Sequence, residues 1–361
     1  MPPTNRSNAF PGRSNRRRQP VSLDAASLVQ VAPLQPDSAL PLLVQPTLDN
    51  LNLAHWVQHH GENMTRWLHH HGGILFRGFQ VQGVEDFQTF IQTVAYPPLP
   101  YTYRSTPRTQ VRGPVYTSTE YPANRTIPLH NEMAYARQWP LRIAFYCPQP
   151  AASGGETPIA DSRRVLARID PTVRSRFQAH GVLYIRNYGG GLDLPWQEVF
   201  QTEQRQVVET YCHQAQIEFT WHDHDQLQTR QICQAIAPHP HTGESVWFNQ
   251  AHLFHLNTLD PTLRAQLLAT MAADRVPRHT RYGDGTEITT AVLDRIHQAY
   301  TAETVTFPWQ AGDVLLLDNM LVAHGRRPFS GPRQVLAGMG DPWNSKCPLH
   351  HRGAISRSVD L

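Results

Sequence analysis

His130 and Glu132 stand two residues apart in "TIPLHNEMAY" (residues 126–135), directly after Pro128–Leu129. In an extended segment the side chains at i and i+2 leave the same face, so an imidazole and a carboxylate would aim at one point there, with Asn131 turned away. The pair alone does not complete a site for a mid-row divalent metal. A second histidine must come from elsewhere in the chain. Two imidazoles and one carboxylate on one face of an octahedron leave three positions open, which is the protein ligand set of non-haem Fe(II) oxygenases. The chain has 20 histidines, so an H-x-E pair also arises by chance. The competing reading is a hydrogen-bonded core histidine beside a glutamate paired to an arginine.

The best third ligand is His324 in "DNMLVAHGRRPF", at the end of an apolar strand and before a Gly-Arg turn. Arg333 in "GPRQVL" falls on the next predicted strand, where a guanidinium can grip a carboxylate bidentately. Thr157 in "GGETPIAD" brings a hydroxyl to the start of another strand. Together, Thr157 and Arg333 suit the far carboxylate of a dicarboxylic acid whose other end chelates iron. The bland alternatives are a surface ion pair for Arg333 and a strand-edge residue for Thr157.

These residues need a scaffold. The apolar spacing in residues 48–72 predicts one or two amphipathic helices stopped by Gly72–Gly73, then a buried strand at "ILFRGF" and a helix through Val84, Phe87, Phe90 and Ile91. Residues 95–125 read as loop and short strands. A strand follows at 141–147, and a Gly-centred turn at 152–161 runs into another. "DPTVRSRFQAHG" predicts a helix with Asp170 as N-cap, Pro171 at the first position and Gly181 as stop. "VLYIRNY" (182–188) is a strand. Residues 203–213 read as a helix capped by Thr202, with Arg205 standing where a capping box would want Glu or Gln. Strands flank the turn at 241–243. Two helices follow, at "DPTLRAQLLATMAAD" and "TEITTAVLDRIHQAYTAE". "GDVLLLDNMLVAHG" and "RQVLAGMG" close the chain as two strands joined by "RRPFSGP". The expectation is one mainly β domain over residues 23–361, an antiparallel core with helical insertions at about 165–180, 200–215 and 258–303.

Bulk properties narrow the field. With 361 residues and 40% hydrophobic residues the chain can bury a large core, and a formal charge of +3 gives little reason to expect nucleic acid or acidic membranes as partners. No apolar run is long enough to cross a bilayer, and the N-terminus has no signal-peptide core, so a cytoplasmic protein is expected. Residues 1–22 form a basic tail expected to be disordered. Cys147, Cys212, Cys233 and Cys347 are widely spaced and read as reduced thiols.

The order H-x-E, "GGET", then "DNMLVAHGRRPFSGPR" resembles the taurine dioxygenase (TauD/TfdA) superfamily of Fe(II)/2-oxoglutarate oxygenases. "YIRNYGGGLDLPWQEVFQT", "HPHTGESVWFNQAHLFH" and "LLLDNMLVAHGRRPFSGPRQVL" look more closely like its syringomycin-type (SyrP-like) hydroxylases. The likeness runs from about residue 70 to 342. It implies a double-stranded β-helix, or jelly roll, with iron on His130, Glu132 and His324 and the far carboxylate of 2-oxoglutarate on Thr157 and Arg333. Many superfamily members have Asp at the Glu132 position, while the SyrP-like branch is similar to this chain in using Glu. Related halogenases have a small residue there, so the carboxylate favours hydroxylation by O2, with succinate and CO2 released. Desaturation or ring closure shares the first step. The resemblance further implies an amino-acid-type substrate of specialised metabolism, free or tethered to a peptide-synthetase carrier domain.

For the substrate itself, Arg326 or Arg327 could pair a carboxylate, and Trp247, Asn249 and His252 could line the pocket, with Tyr135 and Arg104 as further candidates. A core strand at "VWFN" and one solvent-facing arginine of the adjacent pair are the opposing readings. Three rivals stay open: a hydrolase with zinc on the same three ligands, a jelly-roll binding protein without catalysis, and a nucleic-acid or peptide binder using Arg16–Arg18.

Overall fold

The computed structural model describes residues 28–99 and 103–345. The expected tail at 1–22 and Cys347 lie outside these residues. The largest sheet has eight strands in the order Val29–Gln35, Ser38–Pro46, Gly73–Phe76, Asp313–Asp318, Gln138–Gln149, Gln334–Asn344, Val115–Thr117 and Gln110–Arg112. Its pairs are antiparallel except Ser38–Pro46 with Gly73–Phe76, which run parallel. A four-stranded sheet lies in the order Thr304–Val305, Ile159–Asp161, Val322–Arg326 and Ile127–His130.

Alternation explains why the large sheet is covered on both faces. Leu315 and Leu317, with Ile143 and Phe145 on the neighbouring strand, point into a cluster shared with Ile159 and Val322 of the four-stranded sheet. Val314, Leu316, Ala144 and Tyr146 point the other way, against the helices Leu53–Gln58, Gly61–His71 and Gly83–Val94. A strand buried on both faces reads as a continuous apolar run, as "VLLL" does. The two facing sheets are the expected jelly roll. A third cluster packs the helices Ser162–Arg168, Pro171–His180, Trp196–Phe200, Arg205–Ala215 and Thr290–Ala302 around a second four-stranded sheet, Glu218–His222, Gln226–Cys233, Val182–Tyr188 and Arg278–Tyr282.

Capping signals translate directly into helix ends. Asp170 accepts the N–H groups of Thr172 and Val173, and Asp260 those of Thr262 and Leu263, each with proline at the first helical position. Gly72 ends its helix in the left-handed region.

Four expectations need correction. The segment 312–325 is not one strand. It breaks at Asn319–Leu321, because Asp318 Oδ1 accepts the N–H groups of both Met320 and Leu321 (3.0 Å each) and turns the chain from the large sheet into the small one. The helix expected at 203–213 spans Arg205–Ala215, with Gln204 at its cap position; the Thr202 hydroxyl takes the Gln204 N–H in the turn before it. The insertion at 258–303 contains the strand Arg278–Tyr282, paired along Val182–Tyr188. Finally, the strand carrying His130 ends at that residue, so Glu132 lies in the following turn and not on a strand.

Candidate metal centre

His130 and His324 are brought together by backbone pairing. They are direct cross-strand partners in the antiparallel pair Ile127–His130 and Val322–Arg326, with ring centroids 4.6 Å apart. The register shifts between His324 and Arg326, and Gly325 occupies that irregularity. A Cβ on Gly325 would meet the Ile127 carbonyl oxygen at 2.6 Å, so only glycine allows this approach. Glu132 arrives by another route. Asn319 Oδ1 accepts the Glu132 N–H (2.7 Å), and its Nδ2 donates to the carbonyls of Glu132 (2.9 Å) and Pro140 (2.8 Å). The same Asn319 sits in the turn that delivers His324. One buried amide therefore ties the carboxylate's turn to the histidine's strand.

One ligand atom from each of His130, Glu132 and His324 lies within 4.8 Å of the others. Their chemistry suits a metal. His130 Nδ1 is 2.8 Å from the Pro128 carbonyl oxygen. A carbonyl only accepts, so that nitrogen carries the proton and Nε2 keeps its lone pair. Burial pushes His130 below its ordinary value against the pull of Glu132, and pushes His324 well below it, aided by His130 and Arg108. Both imidazoles are neutral at neutral pH, as ligands must be. Buried His324 Nδ1 has no hydrogen-bond partner among the described residues.

Two other clusters have ligand-type side chains, and the first of them is already spent. His239 Nδ1 accepts the Thr242 N–H, so its proton sits on Nε2 and goes to Asp318 (3.0 Å), next to His69. In the other, His255 Nδ1 accepts the Asn257 N–H and the exposed Glu287 carboxylate is paired to Arg281, while His255 Nε2 and both ring nitrogens of His279 are buried with no hydrogen-bond partner among the described residues.

Thr157 and Arg333 line one small chamber with His130, His324, Phe145 and Val335. The chamber holds about 30 Å³, room for about one water. Thr157 is buried, and its hydroxyl accepts the Trp309 indole N–H (3.1 Å). Arg333 lies just before its strand, with Nε donating to the Gly155 carbonyl (3.1 Å) and the guanidinium over the Phe329 ring. Burial lowers Arg333 to about 10, which leaves it charged at neutral pH. A second cavity of about 180 Å³ opens beside the dyad. Its lining includes His130, Glu132, Gln250, Leu253, Phe254 and Arg278.

The remaining sequence candidates are not gathered around either cavity in a binding posture. Arg326 borders the chamber, but its guanidinium donates to the carbonyls of Tyr121 (3.0 Å), Pro122 (2.6 Å) and Arg125 (2.9 Å) and fastens that loop. Arg327 is exposed. Trp247 is in the core, edge-on to Phe177. Asn249 is buried, bonded to the Ala235 carbonyl and the Ala251 N–H. His252 is buried with Nε2 3.1 Å from the Leu129 carbonyl, bracing the residue before His130. The Tyr135 hydroxyl donates to the Tyr103 carbonyl in the core, and Arg104 reaches the Arg108 carbonyl.

The residues missed are Arg108 and Asn319. Arg108 Nη2 donates to Glu132 Oε2 at 2.6 Å, with both side chains buried. Nothing in "STPRTQ" marks Arg108, 24 residues from its partner. Asn319 stands inside the motif "DNMLVAHGRRPFSGPR", where its residue type marks a turn but not the bonds it makes.

A family model described as taurine catabolism dioxygenase TauD, TfdA family matches residues 30–339. The dapdiamide synthesis protein DdaC of Enterobacter agglomerans is 42% identical over 312 residues, covering 86% of this chain and 94% of that protein. A clavaminate synthase-like protein of Arabidopsis thaliana is 32% identical over 276 residues, covering 74% and 80%. Among solved structures, PvcB from Pseudomonas aeruginosa has a TM-score of 0.54 at 14% identity, covering 88% of this chain and 94% of that one. Another PvcB structure, described as an Fe, alpha-ketoglutarate dependent oxygenase from an isonitrile synthetic pathway, has a TM-score of 0.52 at 14% identity, covering 93% and 95%. At that identity the likeness is one of fold.

Proposed function

The chain belongs to the taurine catabolism dioxygenase TauD, TfdA family, and from that premise we propose that it hydroxylates an unactivated C–H bond of a small amino-acid-type substrate in specialised metabolism. The enzyme class is that of the family: a non-haem iron dioxygenase using Fe(II), 2-oxoglutarate and O2. The observation that carries the assignment to this site is the cross-strand pairing of His130 with His324, with Glu132 in reach of both.

On this reading His130, Glu132 and His324 would hold the iron, and Thr157 and Arg333 would hold the far carboxylate of 2-oxoglutarate. When bound, the iron supplies the oxidising power, driven by oxidative decarboxylation of 2-oxoglutarate to succinate. The protein supplies placement and dryness. Phe145 and Val335 wall the chamber with apolar surface, and the adjoining cavity, with Leu253 and Phe254 beside Gln250 and Arg278, is the place for the substrate carbon. The part that DdaC plays in dapdiamide synthesis supports a biosynthetic role. The substrate is taken free or tethered to a carrier domain.

The test is aerobic incubation with Fe(II) and 2-oxoglutarate against free and carrier-tethered amino acids, reading product mass. A gain of one oxygen, with iron-dependent succinate release that His324→Ala abolishes, is expected. Loss of two hydrogens would replace hydroxylation by desaturation or ring closure. No iron-dependent succinate release from any substrate would sink the oxygenase assignment at this site.

A further inference from the structure

A glutamate has one more rotatable bond than an aspartate between its backbone and its carboxylate. A ligand with that freedom must be held if it is to meet a metal at a fixed point. Here the backbone of Glu132 is fixed by Asn319, and the carboxylate is gripped by Arg108 through Oε2 at 2.6 Å, with side-chain exposures of only 2% and 3%. That bond engages Oε2 and leaves Oε1 outside it. Arg108 also lines both the chamber of Thr157 and Arg333 and the cavity of Gln250 and Phe254, so it stands where the two spaces meet the ligands.

We propose that Arg108 is a positioning residue of the metal centre: its guanidinium holds one oxygen of Glu132, so that the carboxylate presents only the other to the metal. This rests on the iron assignment above. The pair restores to a glutamate the rigidity a shorter aspartate would have by itself, and one-oxygen ligation leaves the remaining coordination positions for co-substrate and O2.

Two effects of Arg108 have opposite signs, which makes the proposal decidable. A cation beside a divalent ion repels it, so simple Coulomb reasoning has removal of Arg108 tightening metal binding. Positioning has removal weakening it, by roughly 10- to 100-fold, the usual cost of losing an outer partner of a metal ligand. Mn(II) serves as the probe, its free concentration read by electron paramagnetic resonance on the full chain. We expect Arg108→Met to weaken Mn(II) binding within that range, and Arg108→Lys, which keeps the charge but loses the fork, to recover part of it. Asp at position 132 is about 1.5 Å shorter and out of reach of Arg108. Arg108→Met should therefore change Mn(II) affinity by less than about threefold in a Glu132→Asp background, where neighbouring effects no longer couple.

Binding by folded Arg108→Met as tight as, or tighter than, that of the parent overturns the proposal. So does an equal loss in the Glu and Asp backgrounds. If Arg108→Met does not fold by circular dichroism, Arg108→Lys in the two backgrounds decides by the same comparison. A parent chain that binds no Mn(II) or Fe(II) takes the iron assignment down together with this one, whereas an intact parent with an indifferent Arg108 variant removes this inference alone.

Discussion

Arg333 reaches its chamber as a charged, half-buried group beside Thr157 and His324, with its Nε donating to a backbone carbonyl. Arg333→Met should raise the KM for 2-oxoglutarate about 10- to 100-fold, the worth of roughly 1.5–3 kcal/mol for a hydrogen bond to a charged group. Succinate formation against 2-oxoglutarate concentration checks this, and an unchanged KM would remove Arg333 from the co-substrate site. Side chains at this scale were legible where one residue type has few uses in its context. His130, Glu132 and His324 stand out through their spacing and their order in the motif, and the structure brings one ligand atom of each within 4.8 Å of the others. Trp247, Asn249, His252 and Tyr135 have side chains suited to binding, and the structure spends each on packing or backbone bonds. Their side chains are equally apt for either use, and only burial and partners tell the uses apart.

The metal centre depends on how closely two short strands approach. Gly325→Ala would drive a methyl group into the Ile127 carbonyl, separate His324 from His130, and cost about 1–3 kcal/mol of stability. Thermal unfolding and Mn(II) binding together should register both losses. Gly61, where an added Cβ meets nothing within 4 Å, is the control; Gly61→Ala should leave both measurements unchanged or raise stability slightly. Asn319→Ala would strand the Glu132 N–H and the carbonyls of Glu132 and Pro140. A loss of about 2–4 kcal/mol in urea unfolding is expected, from one to three buried polar groups left unpaired; retention of full stability would show that water replaces the amide. Helix caps were readable because an Asp-Pro pair acts within four residues. The break at Asn319–Leu321 was not, because "LLLDNMLVA" has the same apolar content whether it stays in one sheet or crosses to another.

The whole chain carries a pH dependence. Burial lowers His252 and His279 to about 3 and His255 to about 4, against 6.5 when free. As pH falls below 6.5 the unfolded chain takes up protons that the folded chain refuses, so stability drops with acid. Each of the three contributes a slope of up to about 1.4 kcal/mol per pH unit, continuing until its folded value is reached. Urea midpoints should be flat above pH 7 and fall steadily between pH 6.5 and 4; a midpoint unchanged at pH 5 would contradict the burial of these rings. Cys147, Cys212 and Cys233 are buried free thiols pushed up to about 12, which makes them poor nucleophiles at any such pH. Among the described residues no helix is long and apolar enough to cross a membrane.

Local chemistry determined much by itself: the ligand types, the helix ends, the alternating strands and the motif order that marks the family, because each acts over a few neighbouring residues. The tertiary structure alone decided which groups work together. Arg108 meets Glu132, and Asn319 joins a turn at 132 to a strand end at 318, through contacts separated by 24 and 187 residues. Such pairs depend on how distant segments come together in the fold, and no local spacing encodes that.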